Sequence, residues 1–339
     1  MTRGVWVLGE ERGGTVHPVS YEVVAWGRSL ADSLGEDLTC VILGEHAGGQ
    51  AQELVYRGAD TVRVVGHPKL AVFRVDPFAR IMSRLIAEHC PEILLAAATT
   101  MGRTLMPVLA AKLHLGLTAD CTGLEIDSKE RLLLQTRPAI GGNVMATIKT
   151  PQHRPQMATV RPRSRQPLPR DPSRKGKVVA ESVDPDELHS RVTSIGFRPD
   201  RTSEVPIQDA NVVVAGGRGL KDARTFKQIF ALAQCLGGAV GASRAAVDQG
   251  WVPYSHQIGL SGKSVAPRLY LALGISGSAN HLAGMSASEV IVAVNNDPEA
   301  NIFKVADFGI VGDIAEILPA LLARLARPGK PGSSKEGHG

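Results

Sequence analysis

The chain has 339 residues, 43% hydrophobic and 21% charged, a globular composition with room for two domains. Aromatic residues make up only 4%, too few for stacked-ring binding of single-stranded nucleic acid, and no apolar run reaches the roughly 18 residues of a membrane helix. The formal charge of +5 is misleading, because residues 161–177 hold seven basic residues and one acidic residue, leaving the remainder near neutral. No secretory signal pattern opens the sequence, so a cytoplasmic location is expected. Cys40, Cys90, Cys121 and Cys235 are too far apart for a CxxC pair and read as buried thiols.

Short β-branched runs alternate with amphipathic stretches through the first 160 residues. Strands are predicted at 4–10, 37–45, 60–66 and 92–99, and helices at 20–34, 49–58, 77–90 and 102–114. This rhythm implies a parallel sheet covered on both faces. "LLLQTRPAIGGNVMATIKT" and "PQMATVRPR" read as strands that close a first domain over 1–160. Residues 161–207 are polar, basic and proline-rich, which predicts a solvated linker or arm.

A second domain over 208–326 opens with the strand "NVVVAGG" (211–217) and the helix 222–236. Further strands are expected around "GAVGAS", at 268–276, at 289–297 and at 307–312, with a helix start at 278–285. A C-terminal helix is predicted from near Pro319 to before Pro328, then a disordered tail at 327–339. The expected fold class is α/β, with two domains that are each a mainly parallel sheet flanked by helices. The second is Rossmann-like.

Each apolar run of the second domain ends in small or polar residues: "GGRG", "GASR", "GISG", "NND" and "GIVGD". In a doubly wound parallel sheet these turns share the carboxyl edge, where open α/β sheets bind ligands. Glycines there let backbone N–H groups approach phosphate oxygens. Five such turns suggest a long ligand, such as a dinucleotide. "GGRGLKD" is not GxGxxG, and the second strand ends in Ser243-Arg244 rather than an acidic ribose ligand. That disfavours a hydride-transfer NAD site. An arginine among small neighbours suits a flavin ring, whose reduced forms carry negative charge.

The runs "VVVAGGRGLKDARTF", "GGAVGASRAAVDQGWVPYSHQIGLSGKSVAPRLYLALGISGSANHLAGM" and "VIVAVNNDPEANIFKVADFGIVGDIAEILPAL" resemble the C-terminal domain of the electron transfer flavoprotein α subunit. "GLTADCTGLEID", "LLQTRPAIGGNVMATI" and "RPQMATVRP" are similar to the first domain of that family, so the resemblance spans about residues 3–325. It implies FAD as cofactor, held largely by the second domain, and pairing with a β subunit to form a heterodimer. Carried over by motif, Arg218 and Ser243 contact the cofactor near its phosphates and flavin side, and Arg244 packs by the isoalloxazine and favours the anionic semiquinone. Gln257, Ile258, Gly259, Leu260 and Ser261 belong to a loop that wraps the ring, with the Ser261 hydroxyl near flavin N5. Ser276, Gly277, Ser278, Ala279, Asn280 and His281 hold the phosphates and end near flavin O2. Asn295 and Asp313, with Ile314 beside it, hold the adenosine end. The family usually reads Gln-Thr where this chain has Leu260-Ser261, so a hydroxyl is kept and an amide is lost.

The resemblance implies electron carriage, one electron at a time, from flavin dehydrogenases such as acyl-CoA dehydrogenases toward a membrane quinone oxidoreductase. It also implies a C-terminal domain that swings on its linker. A bifurcating or pathway-dedicated member of the same family is an alternative. So is an unrelated enzyme binding NAD(P) or ATP on the first domain. Plainer readings stand beside the site residues: Arg244 as an ion-pair partner of Asp248, His281 as a core histidine, Ser261 as a turn residue, Asp313 as a helix cap and Lys263 as a solvated charge. No metal-ligand spacing and no Ser–His–Asp arrangement is found.

Overall fold

A computed structural model describes residues 3–139, 144–196 and 206–325. The chain divides into two compact units, 1–197 and 198–339. The predicted tail at 327–339 lies outside the described residues.

The first unit runs β1 (Val5–Arg12), β2 (Thr15–Val16), α1 (Val19–Leu34), β3 (Leu38–Gly44), α2 (Ala51–Tyr56), β4 (Thr61–Gly66), α3 (Val75–His89), β5 (Ile93–Ala97) and α4 (Thr100–Leu113). It continues through β6 (Leu117–Cys121), β7 (Gly123–Asp127), β8 (Leu132–Pro138), β9 (Met145–Ile148), β10 (Gln156–Val160) and β11 (Lys177–Ala180). The main sheet has the order β11-β4-β3-β1-β5-β10-β6, with every pair along that path parallel. Strand residues alternate between two cores. Val5 and Val7 pack with α1 and α2, while Trp6 and Leu8 pack with α3 and α4. Burial on both faces is why these strands read as continuous apolar runs. Strands β7, β8 and β9 form a separate antiparallel sheet.

The basic stretch at 161–177 is not a solvated linker, which corrects the predicted boundary. Arg165 lies 4.6 Å from the Trp26 ring centroid, and Arg170 lies 4.7 Å from that of Tyr56. Arg161 pairs with Asp120 at 2.7 Å, Arg170 with Glu53 at 2.8 Å and Arg174 with Asp60 at 2.7 Å. Trp26 Nε1 donates to Ser164 Oγ, and the chain then adds β11 beside β4. A single 3₁₀ turn at Pro185–Leu188 follows, its Leu188 buried in the core beneath α3. The arm therefore belongs to the first unit. Its charges are matched by carboxylates and rings far away in sequence, so local composition misrepresents it.

The second unit runs β12 (Val212–Gly216), α5 (Ala223–Cys235), β13 (Ala239–Ala242), α6 (Arg244–Asp248), β14 (Leu269–Leu273), α7 (Ala279–Leu282), β15 (Val290–Asn295), β16 (Phe308–Val311) and α8 (Ile314–Leu325). Its five strands are all parallel, in the order β13-β12-β14-β15-β16. Successive connections change direction between β12 and β14, which opens a crevice at their carboxyl ends. Helix α8 starts at Ile314, five residues before the predicted start. Asp313 Oδ1 accepts the Ala315 N–H at 2.9 Å, and Ile314 and Leu318 are buried. The cap and this apolar stripe outweigh Pro319, which costs one intrahelical bond. Cys40 and Cys121 are buried as expected, whereas Cys90 and Cys235 are exposed at the ends of α3 and α5.

Candidate functional site

A cavity of about 500 Å³ opens at the carboxyl edge of the second sheet. Four segments line it: Arg218-Gly219 after β12; Ser243, Arg244, Ala245 and Asp248 after β13; Gly274, Ile275, Ser276, Gly277 and Ser278 with Asn280 and His281 after β14; and Asn295 at the end of β15. Ile258, Gly259 and Ser261 of the loop before β14 supply a further wall.

Glycine is required where the first and third turns meet. A Cβ on Gly217 would lie 2.2 Å from the Gly274 carbonyl oxygen, and one on Gly219 would lie 2.8 Å from the Gly274 Cα. Gly219 N–H donates to Gly274 O at 3.0 Å, and Gly217 N–H donates to Leu273 O at 2.9 Å. These glycines bring two backbones together, and their N–H groups are spent on that approach. Their role differs from the phosphate approach expected from sequence.

Arg218 and Arg244 bring the positive charge to the cavity wall, and Asp248 brings negative charge. Arg244 Nε lies 3.3 Å from Asp248 Oδ2, so the plainer ion-pair reading also holds. Both side chains are more than half exposed. Such an exposed i,i+4 pair is worth about 0.3–0.5 kcal/mol, too little to keep the guanidinium from an anionic ligand. Ser243 caps α6 through its Oγ, which accepts the Ala246 N–H.

The loop before β14 is cross-tied. Gln257 Nε2 donates to Ser261 Oγ at 3.0 Å and to Ser261 O at 3.1 Å, while Tyr254 Oη donates to Ser261 O at 2.6 Å. As an acceptor from Gln257, the Ser261 hydroxyl keeps its own proton to donate. Gly259 has φ +140°, and a Cβ there would meet Asn280 O at 2.8 Å. Gln257 is buried behind the loop, and Leu260 is 70% exposed.

His281 is buried at the cavity wall. Its Nε2 lies 2.9 Å from the Tyr270 hydroxyl and its Nδ1 lies 3.2 Å from Ile258 O. Burial pushes the imidazole down to about 4, against a smaller upward pull from the Ile258 carbonyl. Asn295 ties two turns together, its Nδ2 donating to Ile275 O and its Oδ1 accepting the Asp297 N–H.

The structure gathers Arg218, Ser243, Arg244, Ile258, Gly259, Ser261, Ser276, Gly277, Ser278, Asn280, His281 and Asn295 around one cavity. Gln257, Leu260, Ala279, Asp313 and Ile314 are not among its lining residues. Asp313 caps α8 and pairs with Lys221 at 3.1 Å; the Ala315 N–H and then Lys221 hold its carboxyl below the usual range. Gly219, Gly274 and Ile275 also line the cavity; they belong to turns that the sequence marks as the ligand edge, though not to the individual contacts expected there. Ala245 and Asp248 line it without being expected as contacts, Ala245 because a methyl group carries no chemical signature and Asp248 because it reads as the ion-pair partner of Arg244. Among the described residues, no cluster could hold a metal ion, and no helix is long and apolar enough to cross a membrane.

Size and donor set fit a dinucleotide cofactor. The cavity falls within the range of cofactor clefts, its wall offers four serines, two asparagines and two guanidiniums, and close glycine packing leaves room at the edge. Residues 5–186 match the family model described as electron transfer flavoprotein domain, and residues 206–286 match electron transfer flavoprotein FAD-binding domain. The chain is 45% identical over 317 residues to electron transfer flavoprotein subunit alpha of Thermoanaerobacterium thermosaccharolyticum, covering 94% of this chain and 96% of that protein. It is 42% identical over 322 residues to Protein FixB of Azotobacter vinelandii, with 94% and 89% coverage. It is also 38% identical over 346 residues to acryloyl-CoA reductase electron transfer subunit beta of Anaerotignum propionicum, covering 94% of each. With both units matched in order along one chain, this protein belongs to the electron transfer flavoprotein alpha-subunit family.

Proposed function

We propose that this chain binds one FAD in the second unit's cleft, pairs with a β subunit, and carries electrons singly between flavin dehydrogenases and a membrane quinone oxidoreductase. The site of action is cytoplasmic. The observation that carries the reading is the cleft itself: small residues and hydroxyls at the switch point of a parallel sheet, with two arginines at its wall. Bound flavin supplies the redox chemistry. The chain's residues hold and tune it. Arg218, Ser243, Ser276 and Ser278 offer donors to the diphosphate. Ser261, oriented by Gln257, offers a hydroxyl proton to the ring. Arg244 is loosely held by Asp248 and can turn to a ring that gains negative charge on reduction. Asn295, with Asp313 and Ile314 outside the cavity wall, is assigned to the adenosine end.

The test is co-expression with the β subunit, followed by absorbance, flavin-to-protein ratio and a stepwise reductive titration. One FAD per dimer with a one-electron stage that Arg244→Ala weakens supports the reading. A colourless dimer overturns it.

The name of one relative favours a second reading within the same family. Acryloyl-CoA reductase electron transfer subunit beta is named for a single reductase, and by that analogy this chain serves one dedicated donor or acceptor. Two flavins per dimer, with one going directly to the two-electron-reduced state, would support the bifurcating form. The NAD(P) or ATP alternative on the first unit has less support. At that sheet's switch point Glu10 is buried, a carboxylate where a phosphate would need to sit.

A further inference from the structure

Tyr270 is the second residue of β14, fully buried, and does not itself line the cleft. Its hydroxyl meets one nitrogen of His281, and the other nitrogen meets a backbone carbonyl. A carbonyl oxygen can only accept, so Nδ1 must carry a proton. In the neutral ring Nε2 is then an acceptor, and the Tyr270 O–H donates to it. Both donors are satisfied. A cationic ring would also carry a proton on Nε2, turning Tyr270 into the acceptor and stranding the phenolic proton inside the core. Burying an unpaired donor is costly, so the pair favours the neutral ring.

We infer that Tyr270 is a positioning residue that keeps His281 a neutral, Nδ1-protonated imidazole at the cleft wall, so that an electron enters the site without a proton entering that wall. This inference rests on the flavin reading of the cleft. One electron is added, His281 gains no proton, and no bond in the protein forms or breaks. The charged groups facing the cleft are Arg218 after β12 and Arg244 and Asp248 on α6. Lys263 lies on the 257–263 loop, whose Ile258 carbonyl meets the ring, and Tyr270 is the titratable group on β14. Among the described hydrogen bonds, only Tyr270 and Ile258 reach the His281 ring. Burial holds the Tyr270 phenol well above its usual range, so it remains a donor.

The experiment uses the full chain co-expressed with its β subunit and labelled with ¹⁵N-histidine. The His281 signals are identified by their loss in His281→Gln. From pH 5 to 8 the wild type is expected to show one neutral tautomer with the proton on Nδ1. Tyr270→Phe removes a bond to the neutral form, so the proton affinity of His281 should rise tenfold or more. The one-electron potential of that variant should then climb as pH falls toward 5, and Tyr270→Phe/His281→Gln should abolish the climb. A wild-type ring that is Nε2-protonated or cationic at pH 7 overturns the inference. So does unchanged proton affinity in Tyr270→Phe. If that variant does not fold, the wild-type tautomer alone decides. Absorbance reports separately whether flavin is bound, so failure of the cofactor reading is distinguished from failure of the Tyr270–His281 pair.

Discussion

The two units carry the same kind of sheet and use its carboxyl edge in opposite ways. In the first unit the switch point lies between β1 and β5. Glu10 fills it, accepting from the Thr99 hydroxyl and from Arg12 Nη2, while Ser20 Oγ accepts the Glu10 N–H at 2.8 Å. In the second unit the same point, between β12 and β14, is lined by Gly219, Gly274 and Gly277 and stays open as a cavity of about 500 Å³. Parallel topology supplies a crevice in both cases. Side-chain size and charge decide whether the crevice is a site or part of the core.

The sharpest way to break this contrast is to put a side chain where the second edge has none. Gly217→Ala would drive a Cβ into the Gly274 carbonyl, costing about 3 kcal/mol or more of stability and most of the bound flavin. Gly102→Ala is the matching control, because its Cβ would lie 1.9 Å from Ala97 O in the first unit. It should destabilise to a similar degree, and residual folded protein should retain flavin. Thermal melts and flavin-to-protein ratios separate the two. Equal flavin loss in both variants would remove the distinction between the edges.

Acid pH comes next. The folded-state value for His281 is depressed from 6.5 to about 4, so its contribution is fully present above pH 6.5 and is lost as pH falls toward 4. The loss amounts to about 3 kcal/mol at the acid end. Denaturant unfolding of wild type and His281→Gln across that range checks it, and the variant should show the shallower decline. Glu10→Ala should cost about 2 kcal/mol, since it strands the Thr99 hydroxyl and the Arg12 bond, without changing flavin affinity. Arg244→Ala should cost less than about 0.5 kcal/mol of stability, because its partner is exposed. Its effect should appear in the potential instead, and a large stability change with an unmoved potential would make the residue merely structural.

Much of this arrangement is legible in the sequence. The second sheet's turns stand out because each apolar run stops at glycine or serine, a local signal. The site lies where those turns converge. Other features are hidden by distance along the chain. Arg165 and Arg170 look like solvated charge until Trp26, Tyr56 and Glu53 are placed beneath them. Tyr270 looks like an ordinary strand residue, because its partner lies eleven positions later on α7. Asp313 reads as a ligand contact and a cap at once, and only the folded chain puts its oxygen on the Ala315 N–H.

The docked arm has a consequence for proteolysis. Residues 161–177 hold the densest run of trypsin sites in the chain, and prolines follow or precede several of them. A protease needs an extended, detachable segment of backbone. Here Arg57 holds the Leu168 carbonyl, Tyr56 O accepts the Asp171 N–H, and Lys177 already belongs to a sheet. Limited digestion of the folded protein should therefore spare the stretch that composition marks as most vulnerable. A cut there would report that the first unit had already begun to open.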